Sequence, residues 1–170
     1  MTDQELKNLV ASLAVSQAKT DAQLAKTDEK LSKMADLYGG LSGNIGHAVE
    51  DFFYNSLRPS RLVNGIHYDF INKNITRSND DCEREFDILL TNGSDVAIVE
   101  VKHRANFENI DKLLNKLGPD FVTLFPEFSG YRVHLVLATF SIADEVRDLA
   151  LHSKITILQR KGDVIETIAG

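Results

Sequence analysis

Residues 85–102, EFDILLTNGSDVAIVEVK, carry the clearest indication of a β-sheet in the chain. Its second half, Val96 to Lys102, is too apolar for a strand at the edge of a sheet and predicts a buried central strand. Its middle contains Asn92-Gly93, the strongest short signal for a β-hairpin. The stretch therefore predicts two antiparallel strands joined by a tight turn, with the second strand in the middle of a sheet.

This hairpin carries three charged side chains. Because side chains alternate between the two faces of a strand, Glu100 and Lys102 share one face. If the Asn-Gly pair forms a two-residue turn, Asp87 lies opposite Ile98, on the same face as Glu100 and roughly 7 Å from it. A register slip of one residue would move Asp87 to the other face, so the grouping depends on the hairpin register.

Two carboxylates and an ammonium on a half-buried sheet face are costly to desolvate without a compensating charge. A divalent cation would offset the repulsion between Asp87 and Glu100. A ligand set of carboxylates alone suits Mg²⁺ or Mn²⁺ better than zinc, because hard cations prefer oxygen. The alternative is a buried ion pair between Glu100 and Lys102, with Asp87 as a solvated acid beside the turn.

The rest of the chain after residue 42 completes an α/β pattern. Asn106 is expected to cap a helix that stops at Gly118-Pro119. The pattern predicts an αβββαβα order and two further short strands, in an α/β sandwich around one central sheet. The predicted elements are a helix over Ile45–Leu57, strands over 66–76, 83–90, 95–102 and 131–139, a helix over 142–152, and a terminal hairpin over 155–159 and 164–168.

The N-terminal stretch carries a heptad pattern from Leu6 to Leu41, and the related units KTDAQLA, KTDEKLS and KMADLYG reinforce it. It predicts a long coiled-coil helix over residues 1–41 that links copies of the chain into a homo-oligomer. The alternative is one amphipathic helix packed on its own domain. Glycines at 39, 40, 43 and 46 are expected to break the helix and to mark the start of a second domain, residues 42–170.

Composition limits the classes of function. The chain has 170 residues, 43% of them hydrophobic, and a net charge of −6, which argues against a broad electrostatic footprint on nucleic acid. No apolar run approaches the length that spans a bilayer, and a single cysteine, Cys82, excludes a disulfide within the chain. We therefore expect a cytoplasmic protein with no membrane partner, whose contacts with nucleic acid are local.

The pattern Asp87 … Glu100-x-Lys102 lies on a β-hairpin. A helix and a strand precede this hairpin, and a helix and another strand follow it. This arrangement resembles the PD-(D/E)XK nuclease superfamily. The chain is similar to uncharacterised prokaryotic members that join a heptad repeat, a Gly-rich break and a helix bearing Gly-x-x-x-Glu to this core. That last element is Gly46-His-Ala-Val-Glu50 here. Phe86 stands where the motif name has proline, which leaves Asp87 in place.

The resemblance implies a restriction-endonuclease-like αβββαβ core with a central mixed sheet. It implies that Asp87, Glu100 and the Val101 carbonyl hold the metal, and that Lys102 orients or deprotonates the attacking water. It also implies that Glu50 completes the site from the first helix, although an exposed helical acid is an equal alternative for Glu50.

The leading hypothesis is a Mg²⁺-dependent endonuclease that hydrolyses DNA phosphodiester bonds as a coiled-coil-linked oligomer. His103, Arg104 and Lys112 are candidate contacts to nucleic acid, with a solvent-facing role as the alternative for each. The rival hypothesis is a catalytically inactive nuclease-fold scaffold or protein-interaction module, which the acidic net charge favours.

Overall fold

The computed structural model describes residues 2–170, apart from the side chains of residues 35 and 36, and divides into two compact units, Met1–Asn44 and Ile45–Gly170. The first unit is helical, and helix α1 spans Asp3–Leu57. The large apolar residues of the heptad pattern, from Leu6 to Leu41, are exposed in the single chain. Nowhere in the described chain does a helix combine the length and apolarity needed to cross a membrane.

The helix break predicted at the glycines is wrong, because α1 continues through residues 39–46. Glycine costs about 1 kcal/mol relative to alanine in a helix, and neighbouring turns can absorb that cost. A Cβ added at Gly39, Gly40, Gly43 or Gly46 would meet nothing within 4 Å, so close packing does not explain these glycines. They lower helix stability locally without ending the helix.

The second unit is built around a six-stranded mixed sheet in the order β3-β4-β5-β6-β7-β8. Strands β5, β6 and β7 run parallel to one another, and the other neighbours pair antiparallel. The strands span Phe70–Ser78 (β3), Glu83–Thr91 (β4), Asp95–Ala105 (β5), Arg132–Ile142 (β6), Thr156–Lys161 (β7) and Val164–Ile168 (β8). A short separate hairpin, β1 (Leu62–Val63) and β2 (Ile66–His67), precedes the sheet.

Helices cover both faces of this sheet, so its central strands are buried on two sides. On one face, Val49, Phe53 and Leu57 of α1 pack on alternate residues of the central strands, among them Val99 and Val101. On the other face, the core contains residues of α2 (Phe107–Lys112), α3 (Gly118–Leu124) and α4 (Asp144–His152). The prediction of an α/β sandwich with a central mixed sheet is confirmed at this level.

The helix after β5 begins as predicted and ends differently. Asn106 caps α2, its side chain accepting from the Asn109 amide while the Asn109 side chain accepts from the Asn106 amide. The predicted stop at Gly118-Pro119 is wrong, because a π-helical turn over Leu113–Leu117 leads directly into α3. Proline is tolerated there because it closely follows the π-helical turn, where the regular i to i−4 pattern of hydrogen bonds is already interrupted.

The turn between β4 and β5 also differs from the prediction. Thr91 pairs with Val96, so the loop has four residues rather than two. The Asn92 side chain accepts hydrogen bonds from the amides of Ser94 and Asp95, at 2.8 and 2.7 Å, and stabilises the longer loop. The register shifts by two residues and Leu89 faces Ile98, but an even shift leaves the paired residues from Ile88 to Thr91 on their predicted faces.

Candidate metal centre

Strand β5 supplies the centre of the site. It pairs with β4 on one side and β6 on the other, and Glu100 lies near its middle with 0% of its surface exposed. Lys102 follows on the same face and remains one-third exposed. A fully buried carboxylate therefore lies beside an ammonium that solvent still reaches.

Asp87 lies at a local inversion of two strands. In β4, Phe86 belongs to the core beneath α3, whereas Ile88 belongs to the core beneath α1, although the two residues are two positions apart. In β3, Ile71 and Ile75 also lie on opposite faces. Between these pairs, Asn74 has a φ of 53°, the left-handed conformation that asparagine tolerates. In both strands, the residues that face a given core therefore change parity at the position where Asn74 lies opposite Asp87.

The Asp87 carboxylate points towards β5. The ladder between β4 and β5 ends at the pair Ile88 and Val99. Beyond it, Asp87 Oδ2 accepts a hydrogen bond from the Val101 amide at 2.8 Å. A side-chain oxygen thus takes the ladder position of a main-chain carbonyl, which fixes Asp87 next to Glu100.

The ammonium of Lys102 contacts three oxygens around this point. Its Nζ lies 2.7 Å from Glu100 Oε1 and 2.9 Å from the Val101 carbonyl oxygen, to which it donates. It lies 3.8 Å from Asp87 Oδ2. The oxygens of Asp87, Glu100 and Val101 therefore surround a single positive charge in this structure.

A second lysine contacts the same carboxylate. Lys112, in the last turn of α2, lies with its Nζ 2.7 Å from Glu100 Oε1. Because the Asn106 cap sets where α2 begins, it also sets which residue of the helix reaches the sheet. The sequence leaves a solvent-facing role open for Lys112, and no local signal distinguishes it from Lys116, which is exposed.

One oxygen of the site is left without a partner. Both lysines contact Glu100 Oε1, while Glu100 Oε2 is buried and has no hydrogen-bond partner among the described residues. An unpaired buried carboxylate oxygen carries a desolvation cost of several kcal/mol for a charged group. Burial of Asp87 and, second, repulsion from Glu100 raise the pKa of Asp87 to about 6.

Glu50 lies close enough to influence the site by its charge. Its repulsion adds to the raised pKa of Asp87, and it also helps to raise the pKa of Lys102. Its nearest ionic partner among the described residues is His47, whose Nδ1 lies 3.6 Å from Glu50 Oε2. Among those residues, no group of three or more His, Cys, Asp or Glu side chains converges on a common point. A direct role for Glu50 as a ligand stays a prediction.

His103 and Arg104 are exposed. The His103 ring lies against Phe140 with ring centroids 5.8 Å apart. On alternation, His103 points to the face of the sheet opposite Glu100, the face that α1 covers. Their contacts to nucleic acid stay predictions.

The sequence matches no protein-family model and no curated protein. Among solved structures it is similar to AF1548, a protein of unknown function, with 13% identity over 64% of this chain and 58% of that chain and a TM-score of 0.43. It is similar to Can2 from Sulfobacillus thermosulfidooxidans, solved in complex with cyclic tetra-adenylate, with 17% identity over 68% of this chain and 32% of that chain and a TM-score of 0.43. The chain spans less than two thirds of either protein, and likeness of this degree carries no argument about function.

Proposed function

We propose that this chain is a metal-dependent nuclease that hydrolyses DNA phosphodiester bonds, with a restriction-endonuclease-like core of the PD-(D/E)XK type. One observation carries the proposal: the oxygens of Asp87, Glu100 and Val101 all lie within 3.8 Å of the Lys102 ammonium nitrogen. The same three groups are the metal ligands that the sequence resemblance implies. Oxygens that surround the Lys102 ammonium are also suited to bind a divalent metal ion.

The donor set fits Mg²⁺ or Mn²⁺. Two carboxylates and a carbonyl are hard oxygen ligands, and the unpartnered Glu100 Oε2 is a ligand atom without another use among the described residues. Asp87, Glu100 and the Val101 carbonyl would hold the cation. When bound, it would supply an acidified water and neutralise the charge that develops on a phosphate.

Lys102 provides a positive charge beside the reacting phosphate. Burial alone lowers the pKa of Lys102, but the nearby carboxylates of Glu100, Asp87 and Glu50 together raise it. In the metal-free protein Lys102 is therefore an ammonium that donates hydrogen bonds. This favours a role in orienting the attacking water and stabilising phosphate charge over a role as the base.

We also propose that the chain acts as a homo-oligomer linked through a coiled coil over residues 1–41, with residues 42–170 as the nuclease domain. The support is the exposed apolar seam of α1, which includes Val10, Leu24 and Leu31. Two linked sites can act on two strands of one duplex. DNA as the partner and the cytoplasm as the location belong to the same proposal.

The rival function is an inactive scaffold with a nuclease-like core. The net charge of −6 favours this reading, because nucleic-acid binding is normally driven by clustered Lys and Arg. Under this reading the Glu100–Lys102 contact is a structural ion pair. A cleavage assay separates the two functions.

The test incubates plasmid and branched DNA with Mg²⁺ or Mn²⁺ and compares the wild type with Asp87→Ala and Lys102→Ala. Lys116→Ala is the matched control, because Lys116 is an exposed lysine close to Lys112 in the chain. We expect metal-dependent cutting that is lost in both site variants and kept in the control. Absence of cutting by the wild type on every substrate would favour the scaffold.

A further inference from the structure

A second set of side chains lies at the same end of the sheet as the candidate metal centre. Lys102 pairs in register with Thr139 of β6, and Thr139 pairs with Gln159 of β7. The next residue on each of these three parallel strands is His103, Phe140 or Arg160. By strand alternation this second row lies on the face opposite Lys102.

Arg160 is exposed yet held at three points. Its guanidinium carbon lies 4.6 Å from the ring centroid of Phe140 and 4.9 Å from that of Phe52. Its Nε donates a hydrogen bond to the Gly162 carbonyl at 2.7 Å. The two rings themselves pack edge to face, with centroids 5.1 Å apart. Most of the rotamer entropy of this arginine is therefore lost before any ligand binds.

This guanidinium is not used to neutralise an acid. Four arginines, at positions 77, 84, 132 and 147, form ion pairs with Asp or Glu, whereas Arg160, like the arginines at 58, 61 and 104, pairs with no carboxylate of the described residues. Its two terminal nitrogens make no hydrogen bond to the described residues. A planar guanidinium stacked on aromatic rings, with its outer N–H groups directed to solvent, suits a phosphate group. The His103 ring, 5.8 Å from Phe140, borders the same surface.

We propose that Arg160, bordered by His103, binds a backbone phosphate of the nucleic-acid strand that the metal centre cleaves. The proposal rests on the proposed function. Strands in a sheet lie about 4.8 Å apart, so β7 is roughly 10 Å from β5. Each nucleotide of one strand rises about 3.4 Å along the duplex axis and spans a longer distance along its backbone, so this phosphate lies within about three nucleotides of the cleaved bond.

Position in the fold supports the proposal. Ligands of open α/β sheets bind beyond the carboxyl ends of the parallel strands, where both rows lie. A strand that crosses this end contacts the Lys102 row on one face and the Arg160 row on the other. A local, rigid contact of this kind also suits a protein whose net charge of −6 provides no general attraction for DNA.

The test measures kcat and KM with Mg²⁺ on whichever oligonucleotide, single-stranded or duplex, the wild type cuts faster. We expect Arg160→Gln to raise KM about tenfold with kcat within about twofold, and Arg160→Lys to restore part of the loss. The dependence of binding on salt should fall by about one charge in Arg160→Gln. Lys161→Gln, at the adjacent exposed lysine, is the matched control and should match the wild type.

A series of substrates, each with one uncharged methylphosphonate at a different position within about three nucleotides of the cleaved bond, locates the contact. At the contacted position this change has a specific effect. It should raise KM for the wild type and leave KM of Arg160→Gln unchanged. Thermal unfolding of each variant separates lost binding from lost stacking on Phe52 and Phe140. Equal KM values for the wild type and a folded Arg160→Gln would overturn the inference and leave the proposed function intact.

If the wild type cuts no nucleic acid, the proposed function fails, and a binding measurement still decides the role of Arg160. Fluorescence anisotropy of labelled single-stranded and duplex oligonucleotides, without added metal, replaces the kinetic assay. Binding that weakens about tenfold in Arg160→Gln and not in Lys161→Gln supports the phosphate contact. Equal affinity of wild type and Arg160→Gln overturns it.

Discussion

Two buried carboxylates lie on strand β5, and they differ in their hydrogen-bond partners. Asp95, at the amino end, is 2% exposed and has a partner at each oxygen. Arg132 donates to both of its oxygens at 2.8 Å, Ser94 donates at 2.7 Å, and His134 Nε2 lies at 2.8 Å. The hydrogen bonds from Arg132, His134 and Ser94 hold the pKa of Asp95 well below its usual range.

Glu100, five residues later, is buried as completely but has partners in the described chain at only one of its two oxygens. Both lysines contact one oxygen, and the other oxygen has no partner among the described residues. Its charge also helps to raise the pKa of the neighbouring Asp87. Both oxygens of Asp95 therefore have hydrogen-bond partners, whereas the carboxylates of Glu100 and Asp87 repel each other. Such unrelieved repulsion is typical of functional sites.

The largest expected effect is on metal binding. Glu100→Gln removes the buried charge from the proposed ligand set, and we expect it to weaken Mn²⁺ binding by about 100-fold or more. Asp95→Asn removes a buried charge from the same strand, outside that set, and should leave the affinity for Mn²⁺ within about twofold. Titration calorimetry on the folded proteins measures both. Equal losses in the two variants would remove the distinction between the two ends of β5.

Thermal stability should show the reverse order. Asp95→Asn breaks charge-assisted hydrogen bonds to Arg132, and we expect a fall in Tm on the order of 5 °C at pH 7. Because the folded pKa of Asp95 is lowered, its stabilisation is present above about pH 4 and is lost as pH falls through the folded pKa. The difference in Tm from the wild type should therefore shrink in acid. A difference that stays constant below pH 4 would show that charge does not cause it.

Asp87→Asn should stabilise the metal-free protein. The pKa of Asp87 rises from 3.8 to about 6 on folding, so the wild type loses stability as pH increases through that window. At about 1.4 kcal/mol per pKa unit the full shift corresponds to about 3 kcal/mol, and we expect a gain of about 1–2 kcal/mol above pH 7. The gain should vanish below pH 4. Chemical denaturation in a chelator measures it, and a lower stability of Asp87→Asn at pH 8 would contradict the proposed repulsion.

The sequence predicts the parts of this site that depend on local pattern. The apolar run before Glu100 predicts a buried strand, alternation places Glu100 and Lys102 on one face, and Asn106 predicts the helix cap. The glycine break fails because a cost of about 1 kcal/mol per glycine does not end a helix. The predictions of which residues form strands and share a face hold, whereas the predicted helix ends at the glycines and at Gly118-Pro119 are wrong.

The remaining features depend on tertiary structure. The four-residue loop arises because the Asn92 side chain binds two amides, which competes with a two-residue turn. The inversion at Asp87 requires a left-handed Asn74 in the neighbouring strand. The contact of Lys112 with Glu100 depends on the docking of α2. Neither the periodicity nor the spacing of residues in the sequence predicts these three features.

The smallest expected effect concerns that second lysine. A divalent cation bound by Glu100 would be repelled by the Lys112 ammonium, which lies 2.7 Å from the same carboxylate. We therefore expect Lys112→Met to tighten Mn²⁺ binding by about threefold, measured by calorimetry. The effect is small because the Lys112 side chain is 40% exposed, and it can move into solvent, where its charge is screened.

Lys116→Met is the matched control, because it removes an exposed charge four residues away and should leave the affinity for Mn²⁺ unchanged. The sign of the Lys112 effect distinguishes two roles for this residue. Tighter binding means that Lys112 neutralises Glu100 only while the metal is absent. Weaker binding would mean that Lys112 holds the Glu100 carboxylate in position for the metal, as Arg132 holds Asp95, and the two ends of β5 would then follow one design.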